Sequence, residues 1–296
     1  MGFVFSGKVR RQSPITLLAS SASADVICSA IDGCRRRGVT ACGLAENVTR
    51  SLKSLGAGLN AIKACLVALL ILLIPVAAEE ITACTEINQS GVYHLANDIS
   101  ENATMCIVIN ASDVVLDGNG HVIAGNGTGY GIYAEGVENV TVNNLTLTNW
   151  SYGVYLEIDR GGVENVNVAN SAVDGIYING SSDVAIRGVV SDSNGETGIV
   201  VKGSDSITME DAVARDNGGS GVLLRSTASS TLRNVTAVSN TYYGIWLDNA
   251  RNNVLSEINA SYNLRGTATG RIIGGEIHIT YSCATPRRSG ASCPAA

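Results

Sequence analysis

Apolar and polar positions alternate in six short segments that recur along the chain at nearly constant spacing. Each segment begins with glycine and has small or apolar residues at its second and fourth positions. The segments are GIYAE from Gly131, GVYLE from Gly153, GIYIN from Gly175, GIVVK from Gly198, GVLLR from Gly221 and GIWLD from Gly244. This alternation predicts β-strands, because successive side chains of a strand point to opposite faces. A repeat of 22–23 residues is typical of a solenoid with one coil per repeat.

Two further short apolar runs follow each glycine segment, so each repeat holds three short strands. The residues between these runs are mostly Asn, Ser, Asp and Gly, which form turns and leave no length for a helix. The pattern of leucine-rich repeats, the main alternative at this period, is absent. We therefore predict an all-β fold, a right-handed, single-stranded parallel β-helix with three short strands per 22–23-residue coil. Equivalent residues of successive coils should stack about 4.8 Å apart.

Asparagine recurs near one turn of each repeat. The residues are Asn149, Asn170, Asn194, Asn217, Asn240 and Asn263. Asparagine tolerates the left-handed backbone of a turn, and its amide can bond to the amides above and below it. We predict that the six form an internal ladder with a structural role; a row of ligand-binding amides is the alternative.

Composition divides the chain into five predicted regions. Residues 1–60 are expected to be disordered or to precede the true start of translation, and residues 61–78 to be a signal peptide or a membrane anchor. An N-terminal cap is predicted for 79–105, the β-helix repeats for 106–265, and a C-terminal cap and tail for 266–296.

The stretch from Ala64 to Ala78 is the most apolar part of the sequence. It follows Lys63 and ends in small residues, as secretory signal peptides do. An uncleaved anchor is the alternative, although a spanning helix needs nearer 20 apolar residues. We expect an extracytoplasmic protein, whether secreted, periplasmic or at the cell surface, that contacts the membrane only through 61–78 if this segment is uncleaved.

The chain after residue 78 is strongly acidic, with 11 basic and 23 acidic residues and a net charge of −12. Such a surface repels phosphate, so nucleic acid is not an expected partner.

Four cysteines remain in this part of the chain, and an even number outside the cytosol suggests disulfides. Two of them lie at each end of the predicted β-helix, too far apart for a bridge along its length. We therefore predict the pairs Cys84–Cys106 and Cys283–Cys293.

The segments ITACTEINQSGVYHLANDI (81–99) and CIVINASDVVLDGNGHVIAG (106–125), followed by repeated SN-x-x-x-GI turns, resemble a known family. It is the NosD-like group of right-handed parallel β-helix proteins, together with the wider carbohydrate-binding and sugar-hydrolase β-helix repeats. The resemblance implies a β-helix fold and, for NosD itself, periplasmic copper handling in the maturation of a copper enzyme.

Copper sites need histidine, methionine or cysteine ligands. The candidates after residue 78 are His94, His121, His278, Met105 and Met209, and none forms an H-x-H or M-x-x-M pattern. We predict no metal site and no cofactor, and copper remains implied by the resemblance alone.

A polysaccharide-cleaving β-helix would need two or three clustered carboxylates. The N-T-D, D-D, G-H-G, R-I-K and D-P-H-E patterns of such enzymes are absent, so we predict no catalytic residue. One candidate surface remains, because Tyr133, Tyr155 and Tyr177 should stack on the outside with Trp246 in the same column. Glu135 and Glu157 belong to the neighbouring outward column. Aromatic rings beside carboxylates suit sugar rings, although an aromatic stack can also simply stabilise a sheet.

These observations favour an exported, non-catalytic β-helix protein that binds glycans or cell-envelope polymers. A polysaccharide lyase or glycosidase is the first alternative, and a periplasmic copper-binding maturation factor of the NosD type is the second.

The signal-peptide interpretation makes a direct prediction. The mature protein should begin near Glu79, because the small-residue cleavage motif ends at Ala78. Intact-mass measurement of the native protein tests this, and a mass that retains residues 1–52 would contradict a start of translation downstream of them.

Overall fold

The computed structural model describes residues 78–265, 268–269 and 278–281. The chain divides into two units, 1–79 and 80–296. All regular elements in the described residues are strands. They are β1 (Glu79–Ile81), β2 (Thr85–Ile87), β3 (Gly91–Leu95), β4 (Ile99–Ser100), β5 (Met105–Ile109), β6 (Val114–Asp117), β7 (Val122–Ala124), β8 (Tyr130–Thr148), β9 (Tyr152–Ala169), β10 (Ile176–Asn179), β11 (Ser182–Arg187), β12 (Val190–Asp192), β13 (Ile199–Lys202), β14 (Thr208–Glu210), β15 (Val213–Arg215), β16 (Val222–Arg225), β17 (Thr231–Val238), β18 (Ile245–Asp248), β19 (Val254–Asn259), β20 (Ala268–Thr269) and β21 (His278–Tyr281).

The strands stack as a parallel β-solenoid of about 8 turns with about 23 residues per turn, which confirms the predicted fold. Each coil bears three short strands or strand segments, so the solenoid has three faces. The first face contains β2, β5, the first parts of β8 and β9, β10, β13, β16, β18 and β20. The second contains β3, β6, the middle of β8 and β9, β11, β14, the first parts of β17 and β19, and β21. The third contains β4, β7, the ends of β8 and β9, β12, β15, and the ends of β17 and β19.

The core is built from apolar columns that run along the solenoid. On the first face one column is continuous from coil to coil and every member is fully buried. Its members are Ile132, Val154, Ile176, Ile199, Val222 and Ile245. Constant register therefore places the second residue of every glycine segment inside, as the alternation predicted.

A ladder of amides, three of them buried and the last, on Asn263, half-buried, lines one turn. The Asn194 Nδ2 atom donates to Asn217 Oδ1 at 2.9 Å, Asn217 Nδ2 to Asn240 Oδ1 at 2.9 Å, and Asn240 Nδ2 to Asn263 Oδ1 at 3.0 Å. Each acceptor oxygen also receives the backbone N–H of the asparagine in the preceding coil. The amides thus supply the hydrogen bonds that a turn would otherwise leave unmade.

Two of the six predicted ladder residues, Asn149 and Asn170, lie outside the ladder. They have positive φ angles of 57° and 56° and lie one residue before the ladder position. Trp150 and Ser171 occupy that position, and the Ser171 N–H donates to Asn194 Oδ1 at 2.9 Å. The asparagines at this point are spaced by 21 and then 24 residues. Their residue type did not reveal the one-residue offset, because asparagine also suits a left-handed turn.

The ladder explains why each later segment begins with glycine. A Cβ atom on Gly198 would lie 2.7 Å from Asn217 Nδ2, and one on Gly221 would lie 2.7 Å from Asn240 Nδ2. Real Cβ atoms do not approach other atoms so closely, and the ladder amide cannot move without breaking its bonds. The glycine and asparagine of each coil therefore form one packing unit.

The first disulfide prediction is confirmed, since Cys84 is bonded to Cys106. This bond ties the residue before β2 to β5 in the next coil. Cys283 and Cys293 lie outside the described residues, as do 1–60 and nearly all of the predicted signal segment 61–78. Within the described ranges, no helix is long and apolar enough to cross a membrane.

Removal of one ladder amide should cost much more than removal of an exposed one. Asn217→Ala removes the buried acceptor of the Asn194 N–H and Nδ2 groups and one donor to Asn240 Oδ1, so we expect a loss of about 2–4 kcal/mol in the free energy of unfolding. The control is Asn167→Ala, on an exposed position of β9, which should change stability by less than about 0.5 kcal/mol. Chemical denaturation measures both. Equal losses in the free energy of unfolding would contradict a special contribution of the ladder amides to stability.

Candidate functional site

The first face presents three outward columns of side chains, at fixed positions around each glycine. The pre-glycine column is the residue just before the glycine: Tyr130, Tyr152, Asp174, Thr197, Ser220 and Tyr243. The aromatic column, two residues after the glycine, is Tyr133, Tyr155, Tyr177, Val200, Leu223 and Trp246. The charged column, four residues after it, is Glu135, Glu157, Asn179, Lys202, Arg225 and Asp248.

Five tyrosines form a cluster at the N-terminal end of these columns. Tyr133 stacks on Tyr155 with ring centroids 5.1 Å apart, and Tyr155 stacks on Tyr177 at 5.5 Å. Tyr130 stacks on Tyr152 at 5.3 Å and meets Tyr133 and Tyr155 edge-on. All five side chains are half-buried, so part of every ring remains available at the surface.

Carboxylates border the tyrosine cluster. The Tyr133 hydroxyl donates to Glu135, and this bond, followed by burial, raises the pKa of Tyr133 far above its usual value. Burial raises the pKa of Tyr155, with the charges of Glu157 and Glu135 as further causes. Asn179 Nδ2 donates to Glu157 Oε2 at 2.8 Å. Tyr133 and Tyr155 therefore stay neutral, and the surface combines the exposed parts of the stacked rings with hydrogen-bond acceptors.

A groove begins where the tyrosine cluster ends. Val200 and Leu223 replace aromatic rings in two successive coils, and their side chains are only 4% and 7% exposed although they point outward. Tyr177 and Trp246 bound the groove along the column, and its volume is about 210 Å³. The polar lining consists of Asp174, Glu196, Thr197, Lys202 and Arg225. Two coils with small pre-glycine residues thus open a pocket with an apolar floor.

The two cations of the groove differ in their partners. Arg225 Nε donates to Asp248 Oδ2 at 2.8 Å, and its guanidinium carbon lies 5.3 Å from the centre of the Trp246 ring. Lys202 is exposed, and no described residue forms a hydrogen bond or ion pair with its ammonium group. It is also the sole lysine after Lys63 in the sequence. The groove therefore contains one positive charge that no described residue neutralises.

Asp174 forms part of the opposite side of the groove. It is only 6% exposed, and its Oδ1 atom accepts a hydrogen bond from the Thr197 N–H at 2.8 Å. Burial raises the pKa of Asp174 to about 6, the Thr197 bond acts against this, and the nearby charge of Glu196 adds to it. A buried carboxyl group therefore titrates close to neutral pH at the edge of a groove.

The structure brings five of the six predicted binding residues together. Tyr133, Tyr155, Tyr177, Glu135 and Glu157 form one surface on neighbouring coils. Trp246 lies three coils beyond Tyr177 in the same column, at the far side of the groove. Whether these residues bind a ligand stays a prediction.

Sequence reasoning missed Tyr130, Tyr152 and Asp174. The available signal was the residue before each glycine segment, which is tyrosine in the first two segments and aspartate in the third.

Within residues 78–265 the potential copper ligands are dispersed. Met209 is fully buried in the core, and His121 Nδ1 lies 3.0 Å from Asp98 Oδ1 on an exposed turn. Cys84 and Cys106 are bonded to each other. Within residues 78–265, no three side chains of His, Cys, Asp or Glu are grouped as metal ligands would be.

Residues 112–279 match the model of a family described as periplasmic copper-binding protein (NosD). The match covers more than half of the chain. The protein belongs to the NosD family. The residues that the structure describes do not provide a fitting copper site in this NosD-family chain, because the donors a copper ion prefers are dispersed, buried in the core or oxidised to a disulfide.

Several solved β-helix structures are similar to this NosD-family chain. The enzymatically active domain of tailspike protein 2 of bacteriophage CBA120 is 14% identical with a TM-score of 0.49, over 68% of this chain and 42% of that one. The periplasmic alginate epimerase AlgG is 12% identical with a TM-score of 0.41, over 64% of this chain and 51% of that one. The chain spans about half the length of these proteins or less. No curated protein matches it.

The raised pKa of Asp174 predicts a pH-dependent stability. The folded protein holds this proton more tightly than the unfolded chain, so the contribution of Asp174 to stability falls as the pH rises from about 4 to about 6. Relative to wild type, Asp174→Asn should therefore gain on the order of 2–3 kcal/mol in the free energy of unfolding between pH 4 and pH 7. Denaturation at both pH values measures the gain, and Glu196→Gln, which removes only the smallest cause of the raised pKa, should show a much smaller gain. A difference that does not change with pH would refute the assignment.

Proposed function

We propose that this NosD-family protein acts outside the cytoplasm and binds a polysaccharide of the cell envelope along its first face. The observation that supports the proposal most strongly is the half-buried cluster of five tyrosines with Glu135, Glu157 and Asn179 beside it. The C–H groups of a pyranose can pack against the exposed parts of these rings, and its hydroxyl groups donate to carboxylate and amide oxygens.

The direction of the columns suits a linear polymer. The rings of Tyr133, Tyr155 and Tyr177 are stacked at interplanar angles of 13° and 7°, so they repeat along the solenoid axis with the spacing of the coils. A polymer that lies along this axis would meet similar groups at each coil.

A second candidate function is a polysaccharide-active enzyme. The observation that favours it is Asp174, a buried carboxyl with a raised pKa in a groove beside Glu196, since perturbed acids in clefts are often functional. Assays for new reducing ends and for unsaturated products on neutral and anionic polysaccharides test this candidate. Activity that Asp174→Asn abolishes would replace the binding proposal with an enzymatic one.

Loss of the central ring should weaken binding without unfolding the protein. Tyr155 has a ring stacked on either side, and a desolvated aromatic contact is worth on the order of 1–2 kcal/mol. Tyr155→Ala should therefore lower the affinity about 5- to 30-fold. Calorimetric titration with a soluble β-glucan and with polygalacturonate measures this. The control is Tyr262→Asn, which removes an exposed ring elsewhere at a left-handed turn position that asparagine accepts.

The neighbouring substitution Leu156→Ala separates binding from stability. Leu156 is fully buried, so its truncation should cost about 2–5 kcal/mol in the free energy of unfolding while leaving the ring surface in place. If wild type binds neither polymer, or Tyr155→Ala binds as well as wild type, the tyrosine cluster is a structural stack and the proposed function fails.

A further inference from the structure

The groove between Tyr177 and Trp246 has opposite chemistry on its two sides. Asp174 and Thr197 lie in the pre-glycine column, and Lys202 and Arg225 lie in the charged column on the other side of the aromatic column. Val200 and Leu223 form an apolar floor between them. The groove therefore offers hydrogen-bond acceptors along one edge, positive charge along the other, and an apolar surface in the middle.

We propose that this groove binds one uronate residue of an anionic glycan, with the sugar carboxylate on Lys202. The inference rests on the proposed function, because Tyr177 belongs to both the tyrosine cluster and the groove, so a chain on the cluster continues into it. The volume of about 210 Å³ is below the roughly 300–1,000 Å³ of pockets for drug-sized ligands. It therefore suits one ring of a polymer.

A hexuronate has the required distribution of groups. Its carboxylate is attached at one edge of the ring, and the hydroxyl groups at the opposite edge are hydrogen-bond donors. With the carboxylate on the Lys202 side, these hydroxyls face Asp174 and Glu196, whose oxygens accept hydrogen bonds. The ring itself lies over Val200 and Leu223, with Tyr177 and Trp246 at its two ends.

The charge balance favours a carboxylate over a more highly charged group. Asp248 engages Arg225, whereas Lys202 has no partner among the described residues, which leaves one positive charge to be matched. Asp174 and Glu196 lie in the same groove and would repel a phosphate dianion. A singly charged carboxylate fits this arrangement, since an opposite charge at short range attracts and a like charge repels.

The test uses two polymers that differ only in the proposed group. Polygalacturonate and its carboxyl-reduced derivative have the same backbone, so their affinity ratio isolates the carboxylate. Wild type should prefer polygalacturonate, and Lys202→Gln should reduce its affinity for that polymer about 10-fold with little effect on the reduced polymer. Lys202→Arg should restore most of the preference. The matched control is Arg251→Gln, which removes one exposed positive charge outside the groove and should leave the affinity ratio unchanged.

The outcomes distinguish this inference from the proposed function. If Tyr155→Ala weakens the binding of both polymers but Lys202→Gln leaves their ratio unchanged, the glycan surface stands and the uronate site is refuted. A ratio that falls equally in Arg251→Gln would show general charge attraction and would also refute it. Tighter binding of dextran sulfate than of polygalacturonate would overturn the choice of a carboxylate. If wild type binds soluble β-glucan but neither form of polygalacturonate, the uronate site is refuted and the glycan surface stands; if it binds none of these polymers, the proposed function itself fails.

Discussion

Every feature of this protein depends on the parallel pairing of each coil with the next at one constant register. That pairing places Ile176 beside Ile199 and Tyr177 beside Val200, so a residue type chosen in one coil meets the equivalent residue of its neighbours. Backbone hydrogen bonds hold the strands, and the buried asparagine ladder holds the turn. Because the register does not drift along most of the solenoid, inward and outward positions become continuous columns.

Because the register is constant, smaller side chains in successive coils leave a depression at a defined place on the surface. The aromatic column contains three tyrosines, then Val200 and Leu223, then Trp246, whereas the pre-glycine column loses its rings one coil earlier, at Asp174, and regains one at Tyr243. On an irregular surface, two smaller side chains would leave no defined shape. Here they align, because their neighbours on both sides project by the same amount, and the result is a bounded groove.

Most arginines in the described part of the chain form ion pairs with carboxylates of neighbouring coils. On the second face Arg187 lies between Glu164 and Glu210, and Arg233 also pairs with Glu210. Such exposed pairs contribute little to stability, but alternating charges across coils satisfy one another. Lys202 differs, because no described carboxylate engages it. A cation without an internal partner, next to an apolar floor, is what distinguishes the groove from the rest of this acidic surface.

The sequence by itself determined the β-solenoid and the inward column, because both depend on a local period of 22–23 residues, and it determined the Cys84–Cys106 bond, because the other two cysteines after residue 78 follow the repeats in the sequence. The prediction that Asn149 and Asn170 belong to the ladder was wrong. Both lie at the left-handed position one residue before it, and because asparagine suits either position, residue type did not distinguish them. The burial of outward-pointing Val200 and Leu223, the raised pKa of Asp174 and the unpaired charge of Lys202 were decided only by the tertiary structure. Each of them depends on what the adjacent coils place beside a residue, and those neighbours are about 23 residues away in sequence.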